Sequence, residues 1–156
     1  MCDDDVRHAL KHAIQKVRAK YPFIIDAWVL LPDHLHTIWT LPANDANFAL
    51  RWQLIKRDVS IHCGQRLYRP EWMSASKTKH RESSLWQRRY WEHLIRDQAD
   101  YARHMDYAYF NPVKHGLVAD VKDWPYSTFH RDVKTGIYDE SWGSGFECAT
   151  GEFGDR

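Results

Sequence analysis

The chain has 156 residues, 44% of them hydrophobic and 14% aromatic, which is enough for one domain with a core of its own. Lys and Arg (22) nearly balance Asp and Glu (21), leaving a net charge of +1, so a generally basic coat is excluded. No apolar run of about 18 residues suggests a membrane span, no glycine-rich motif suggests a nucleotide cofactor, and the acidic start Asp3-Asp4-Asp5 does not read as a signal peptide.

Helix one is expected from Asp4 to Lys20, with Val6, Leu10, Ala13, Ile14 and Val17 on one apolar face. Its acids stand at the start and its bases at the end, as the helix dipole prefers. Phe23 to Leu31 is rich in strand formers, Pro32-Asp33 makes a turn, and His34 to Leu41 is the partner strand. Helix two runs from Asn47 to Cys63, burying Phe48, Trp52, Ile55 and Val59 and leaving Arg51, Lys56 and Arg57 elsewhere on its surface. Arg66 to Ser84 reads as a long mobile basic loop, and Leu85 to Arg96 as a strand or extended segment. A third helix starts at the N-cap Asp97 and buries Tyr101, Met105, Ala108 and Tyr109. Trp124-Pro125-Tyr126-Ser127 is an irregular aromatic segment. The order of elements is α+β. The expected division is a domain over 1–140 and a flexible acidic tail over 141–156.

The charge is uneven. From Arg51 to Lys114 there are thirteen bases against seven acids, whereas the last eighteen residues hold five acids and one base. A basic middle suits a phosphate-binding face, although an ordinary solvated surface reads equally well. Cys2, Cys63 and Cys148 have neither a zinc spacing nor a disulfide framework, which fits a reducing cytoplasm. Trp39, Trp52, Trp86 and Trp91 are expected in the core rather than as base-stacking platforms, and His93 and His104 in structural roles.

Two short patterns carry chemistry. In His34-Leu35-His36, alternate strand residues project two imidazoles to one face, the spacing of a metal-ligand pair. On the third helix Tyr107 lies off the apolar stripe and shares a face with Asp100, His104 and Asn111. Pro112 opposes helical geometry at Asn111. By themselves these are also compatible with a surface aromatic and two surface histidines.

Four blocks in order, Pro32-Asp33-His34-Leu35-His36-Thr37-Ile38-Trp39, Trp86-Gln87-Arg88-Arg89-Tyr90-Trp91-Glu92-His93, Asp106 to Gly116 and Trp124 to Arg131, resemble the REP-associated tyrosine transposases. These are single-tyrosine members of the HUH endonucleases. The resemblance runs from about Arg7 to about Trp142. It implies a ferredoxin-like antiparallel sheet with helices packed on it, although no first strand precedes helix one. Such a sheet would have open edges unless another segment fills the gap, and an upstream extension by a strand would then stabilise the chain.

The resemblance also implies a DNA-recombining endonuclease and strand transferase acting on single-stranded hairpin DNA formed by palindromic repeats, as a monomer or homodimer. Tyr107 matches the nucleophile. His34 and His36 match the metal pair, and Asn111 the residue completing a site for Mg²⁺ or Mn²⁺. Arg88, Arg89, Arg96 and Lys114 are candidate phosphate contacts. The alternatives are a non-catalytic nucleic-acid-binding module derived from a transposase, and a metal-dependent hydrolase in which Tyr107 is structural.

Overall fold

The computed structural model describes residues 1–64, 68, 70–79, 85–86 and 90–145, apart from the side chain of Trp72. The order is α1 (Asp4–Lys20), β1 (Ile24–Leu30), β2 (Leu35–Thr40), α2 (Phe48–Cys63), α3 (Ala75–Lys79), α4 (Gln98–Lys114) and α5 (Phe129–Lys134), with single 3₁₀ turns at Pro70–Trp72 and Val121–Asp123. The molecule is α+β. The chain forms two compact units, one from Asp3–Phe23 and Leu41–Trp91, the other from Met1–Cys2, Ile24–Thr40 and the chain from Glu92 onward. Among the described residues no helix is long and apolar enough to cross a membrane.

The first unit is built on α1 and α2. The Asp3 side chain caps α1 by accepting from the Asp5 and Val6 amides, and the expected apolar face is buried together with Ala9. Asn47 caps α2 through the Leu50 amide. Ile55 and Val59 are buried as expected, whereas Phe48 and Trp52 are only half-buried. Arg51, expected on the surface, is instead fully buried. Its guanidinium donates to Asp45 (2.6 and 3.1 Å) and to the carbonyls of Asn47 (3.0 Å), Pro22 (2.9 Å) and Tyr21 (3.4 Å). Arg51 lies four residues before Ile55, on the buried face, and this full set of acceptors is what makes an interior cation tolerable. The region expected to be a mobile loop contains α3 and the 3₁₀ turn at Pro70–Trp72, while 65–67, 69 and 80–84 fall outside the described residues.

The second unit is built on the hairpin and α4. β1 and β2 pair antiparallel, with Leu30 opposite Leu35 and Val29 opposite His36. The register shifts between Ile25 and Ala27, so Asp26 is the extra residue of a bulge; its carboxylate accepts from the Thr40 hydroxyl at 2.6 Å. The other edge of β1 is taken by Tyr126–Thr128. The Leu30 amide donates to the Tyr126 carbonyl (2.9 Å), and the Thr128 amide to the Trp28 carbonyl (2.8 Å). The Thr128 hydroxyl accepts from the Trp28 amide at 2.8 Å. A later segment therefore fills one edge of a sheet that has two strands among the described residues.

Leu85 to Arg96 forms no strand over its described residues. The Arg96 amide instead donates to the Asp100 carboxylate (3.1 Å), so the chain there is committed to starting α4. Trp91 is 58% exposed, against the core position expected of it, while Trp39, Trp52 and Trp86 are half-buried.

The core of this unit joins Val29 and Leu31 of the hairpin side to Met105, Ala108 and Tyr109 of α4, and to Val121, Trp124 and Phe129. Trp124 donates its indole N–H to the Leu30 carbonyl at 3.0 Å. Trp142 packs its ring on Phe129 and Tyr138, so ordered packing continues past residue 140.

Candidate active site

Tyr109 fixes the rotation of α4. It is wholly buried, donates to Asp132, and meets Phe129 and Tyr138 edge-on. With Met105, Ala108 and Tyr109 turned into the core, Tyr107 must face another way. The helix does not stop at Pro112 but continues to Lys114. Beyond it the Leu117 amide donates to the Pro112 carbonyl and the Gly116 amide to the Val113 carbonyl (2.9 Å each), a Schellman closure with Gly116 at φ +65°. That extra turn places Lys114 and His115 seven and eight residues after Tyr107, on the same side.

The hairpin supplies the rest. The ladder of β2 ends formally at Leu35, but the His34 carbonyl still accepts from the Leu31 amide (2.9 Å), so alternation extends to His34. The His34 and His36 rings meet edge-on at 4.9 Å, with their Nε2 atoms 3.1 Å apart. Tyr107 stands edge-on to His36 at 5.5 Å. His115 lies 5.2 Å from His34. Lys114 donates to the Tyr107 hydroxyl at 3.1 Å, with its ammonium 4.8 Å from the ring centroid.

His34 Nδ1 bonds Asp33 at 2.7 Å. A neutral ring donating there keeps its Nε2 lone pair for a ligand, the arrangement that commonly orients metal-bound histidines. The same bond holds the Asp33 carboxyl below the usual carboxylate range. Two nitrogens each about 2.1 Å from one ion, at adjacent coordination positions, stand about 3.0–3.4 Å apart, and this pair fits that span. Asn111 is fully buried. Its Nδ2 donates to the Tyr107 carbonyl at 3.2 Å, and its Oδ1 has no hydrogen-bond partner among the described residues. An orphaned oxygen acceptor of this kind suits a hard divalent cation.

Burial raises the hydroxyl pKa of three other tyrosines in this unit. That holds for Tyr101, for Tyr109, where the Asp132 bond adds to it, and for Tyr138, where the Asp106 bond does. They are kept as neutral phenols, whereas Tyr107 has an ammonium at its oxygen.

Of the candidate phosphate contacts, Lys114 joins this cluster. Arg96 precedes α4, two residues before its first residue and at the opposite end of the helix from Lys114. Arg88 and Arg89 lie outside the described residues. Sequence reasoning missed Asp33, His115 and the pairing of Lys114 with Tyr107; the signals were adjacency to His34 and the i+7, i+8 spacing from Tyr107.

His93 and His104 stack at 4.4 Å with rings 10° from parallel, both on Asp100 (2.8 and 3.2 Å). The bond from His93, with those from Arg96 and the two imidazoles' charge, holds the Asp100 carboxyl down at about 2. The network ties the approach to α4 onto its first turn.

No family model matches the chain. Over 133 residues it is 48% identical to the REP-associated tyrosine transposase of Escherichia coli (strain K12), covering 85% of this chain and 70% of that protein. The chain belongs to the REP-associated tyrosine transposases. A putative REP-associated tyrosine transposase of Haemophilus influenzae is 48% identical over 143 residues, covering 89% of this chain and 77% of the relative. A solved structure titled as a REP-associated tyrosine transposase bound to a REP hairpin superposes with a TM-score of 0.74 at 45% identity, covering 94% of this chain and 79% of that one. The transposase fold and the cluster around Tyr107 thus occur in one chain.

Proposed function

We propose that this transposase cuts and rejoins single-stranded hairpin DNA of the REP type, with Tyr107 as nucleophile. The observation that carries the reading is that the Tyr107 ring stands against His36, itself paired with His34, while the Tyr107 hydroxyl accepts from the Lys114 ammonium. The hairpin ligand is the one named for the solved relative.

Tyr107 gives up its phenolic proton to solvent, and Lys114 stabilises the negative oxygen that forms. That oxygen attacks phosphorus. A bond forms from Tyr107 to the 5′ phosphate as the bond to the 3′ oxygen breaks, and the leaving oxygen takes up a proton. The new phosphotyrosine ester conserves the phosphodiester energy, so a 3′ hydroxyl on another strand can reverse the step without nucleotide hydrolysis. His34 and His36, with Asn111 as the oxygen donor, would hold a divalent cation, Mg²⁺ or Mn²⁺. When bound, it would neutralise charge on a non-bridging phosphate oxygen. Nitrogen ligands favour Mn²⁺ of the two.

The test is a labelled single-stranded hairpin oligonucleotide incubated with protein and Mn²⁺ or Mg²⁺, then run on a denaturing gel. The wild type is expected to form a protein–DNA adduct. Tyr107→Phe should bind the hairpin normally and form none, and His34→Ala should lose the metal-dependent adduct while staying folded. An adduct that survives Tyr107→Phe would move the chemistry to another residue. Tight binding with no adduct in the wild type would make the chain a binding module.

A further inference from the structure

A second group of metal-ligating side chains lies in the unit built on α1 and α2, on residues that Tyr107 chemistry does not use. A cavity of about 350 Å³ there is lined by Asp5, His8, Ala9, His12, His62 and Cys63. Five of those six carry a side chain of a metal-ligating type. On α1, Asp5, His8 and His12 follow the i, i+3, i+7 spacing of one helical face. On α2, Asp58 and His62 are one turn apart.

The ligand atoms of His12, Asp58 and His62 all lie within 4.8 Å of one another. Asp58 is the centre. It is 8% exposed, and its Oδ1 is paired with Lys16 at 2.7 Å. Its Oδ2 is buried and has no hydrogen-bond partner among the described residues. His12 Nδ1 stands 3.6 Å from that oxygen, too far for a hydrogen bond and close to the spacing of ligands around one ion. His62 Nδ1 also reaches the Asp58 carbonyl at 2.8 Å. A backbone anchor of this kind fixes a ligating ring and leaves Nε2 for the metal.

We propose that the group His12, Asp58 and His62, two of whose members line this cavity, is a second divalent-metal site with a zinc-class ion as occupant. Two imidazoles with one carboxylate suit zinc, or cobalt and nickel as its surrogates, and suit magnesium poorly. Three protein ligands leave a fourth tetrahedral position, to which His8, one turn before His12, is the nearest candidate on α1. The bound ion would join α1 to α2 and stiffen this unit without touching Tyr107.

The test uses the full chain carrying His34→Ala and His36→Ala, which removes the imidazole pair beside Tyr107 and makes the result independent of the transposase chemistry, with His93→Gln added so that the His93–Asp100–His104 group holds no ion either. Cobalt(II) is titrated by its visible absorption, and zinc by its effect on thermal unfolding. The expected result is one Co²⁺ per chain and an upward shift of Tm with zinc. His12→Gln with His62→Gln should abolish both. These side chains are 63% and 51% exposed, so the metal-free Tm and circular dichroism should not change. Absence of Co²⁺ binding in the first variant overturns the proposal. So does Co²⁺ binding that survives the loss of both His12 and His62.

Discussion

Asp100 shows how strongly one side chain governs the start of the helix that carries Tyr107. It accepts from His93 and from the Arg96 amide, it faces His104 and Arg103, and its own amide is capped by Asp97 at 2.8 Å. Its folded-state pKa of about 2 is depressed from the usual value near 3.9. Its contribution to stability is therefore complete above about pH 4 and is lost as the pH falls through about 2. Asp100→Asn should lower the urea midpoint at neutral pH, and the gap from wild type should narrow steadily between about pH 4 and pH 2. A gap that widened on acidification would show that the carboxylate is not the stabilising form. Lys114 works at the same scale. In the sequence it was legible as one of four candidate phosphate contacts, and its pairing with Tyr107 emerges once α4 is seen to run through to it.

Among the elements, α1 was the most legible, because its cap, its charge order and its period all agree; its bounds match expectation. The hairpin was legible for the same reason, and so was the His pair, since alternation alone decides that two residues apart share a face. Arg51 was not legible. A cation in an apolar stripe reads as surface, and its acceptors come from Tyr21 and Pro22, about 30 positions away. Leu85 to Arg96, read as a strand or extended segment, forms no strand over its described residues, because β-forming residues alone do not supply a neighbour to pair with. The end of α4 was half legible. Pro112 argued for a stop there, whereas Gly116 marks the true one. At Gly116 an added Cβ would meet nothing within 4 Å, so its requirement is purely one of backbone conformation. Gly116→Ala should therefore cost about 1–2 kcal/mol in chemical unfolding without any clash. A neutral result would show that the left-handed turn is not needed to end the helix.

At the scale of the whole molecule, the α1–α2 unit depends on the buried Arg51. Arg51→Met keeps the volume but leaves three backbone carbonyls and Asp45 without their donor. It should cost about 3 kcal/mol in urea unfolding, a large share of the 5–15 kcal/mol typical of a domain. The other unit is held by contacts of great sequence separation. The strap Tyr126–Thr128 closes on β1 across a loop of about one hundred residues, Trp28 to Thr128. Contacts so distant are slow to form, because loop closure precedes any gain from pairing. During synthesis, the hairpin bearing the His pair leaves the ribosome well before α4, and α4 before the strap and Asp132 that lock Tyr109. A nascent chain from which Trp124 to Asp132 has not yet emerged therefore lacks the contacts that hold β1 and Tyr109 in place around Tyr107. Chains ending before Trp124 should show hairpin and helix signals by circular dichroism yet form no adduct with DNA. The order of the sequence would thus act as a timer, completing the surroundings of Tyr107 only after the Trp124–Asp132 segment is made.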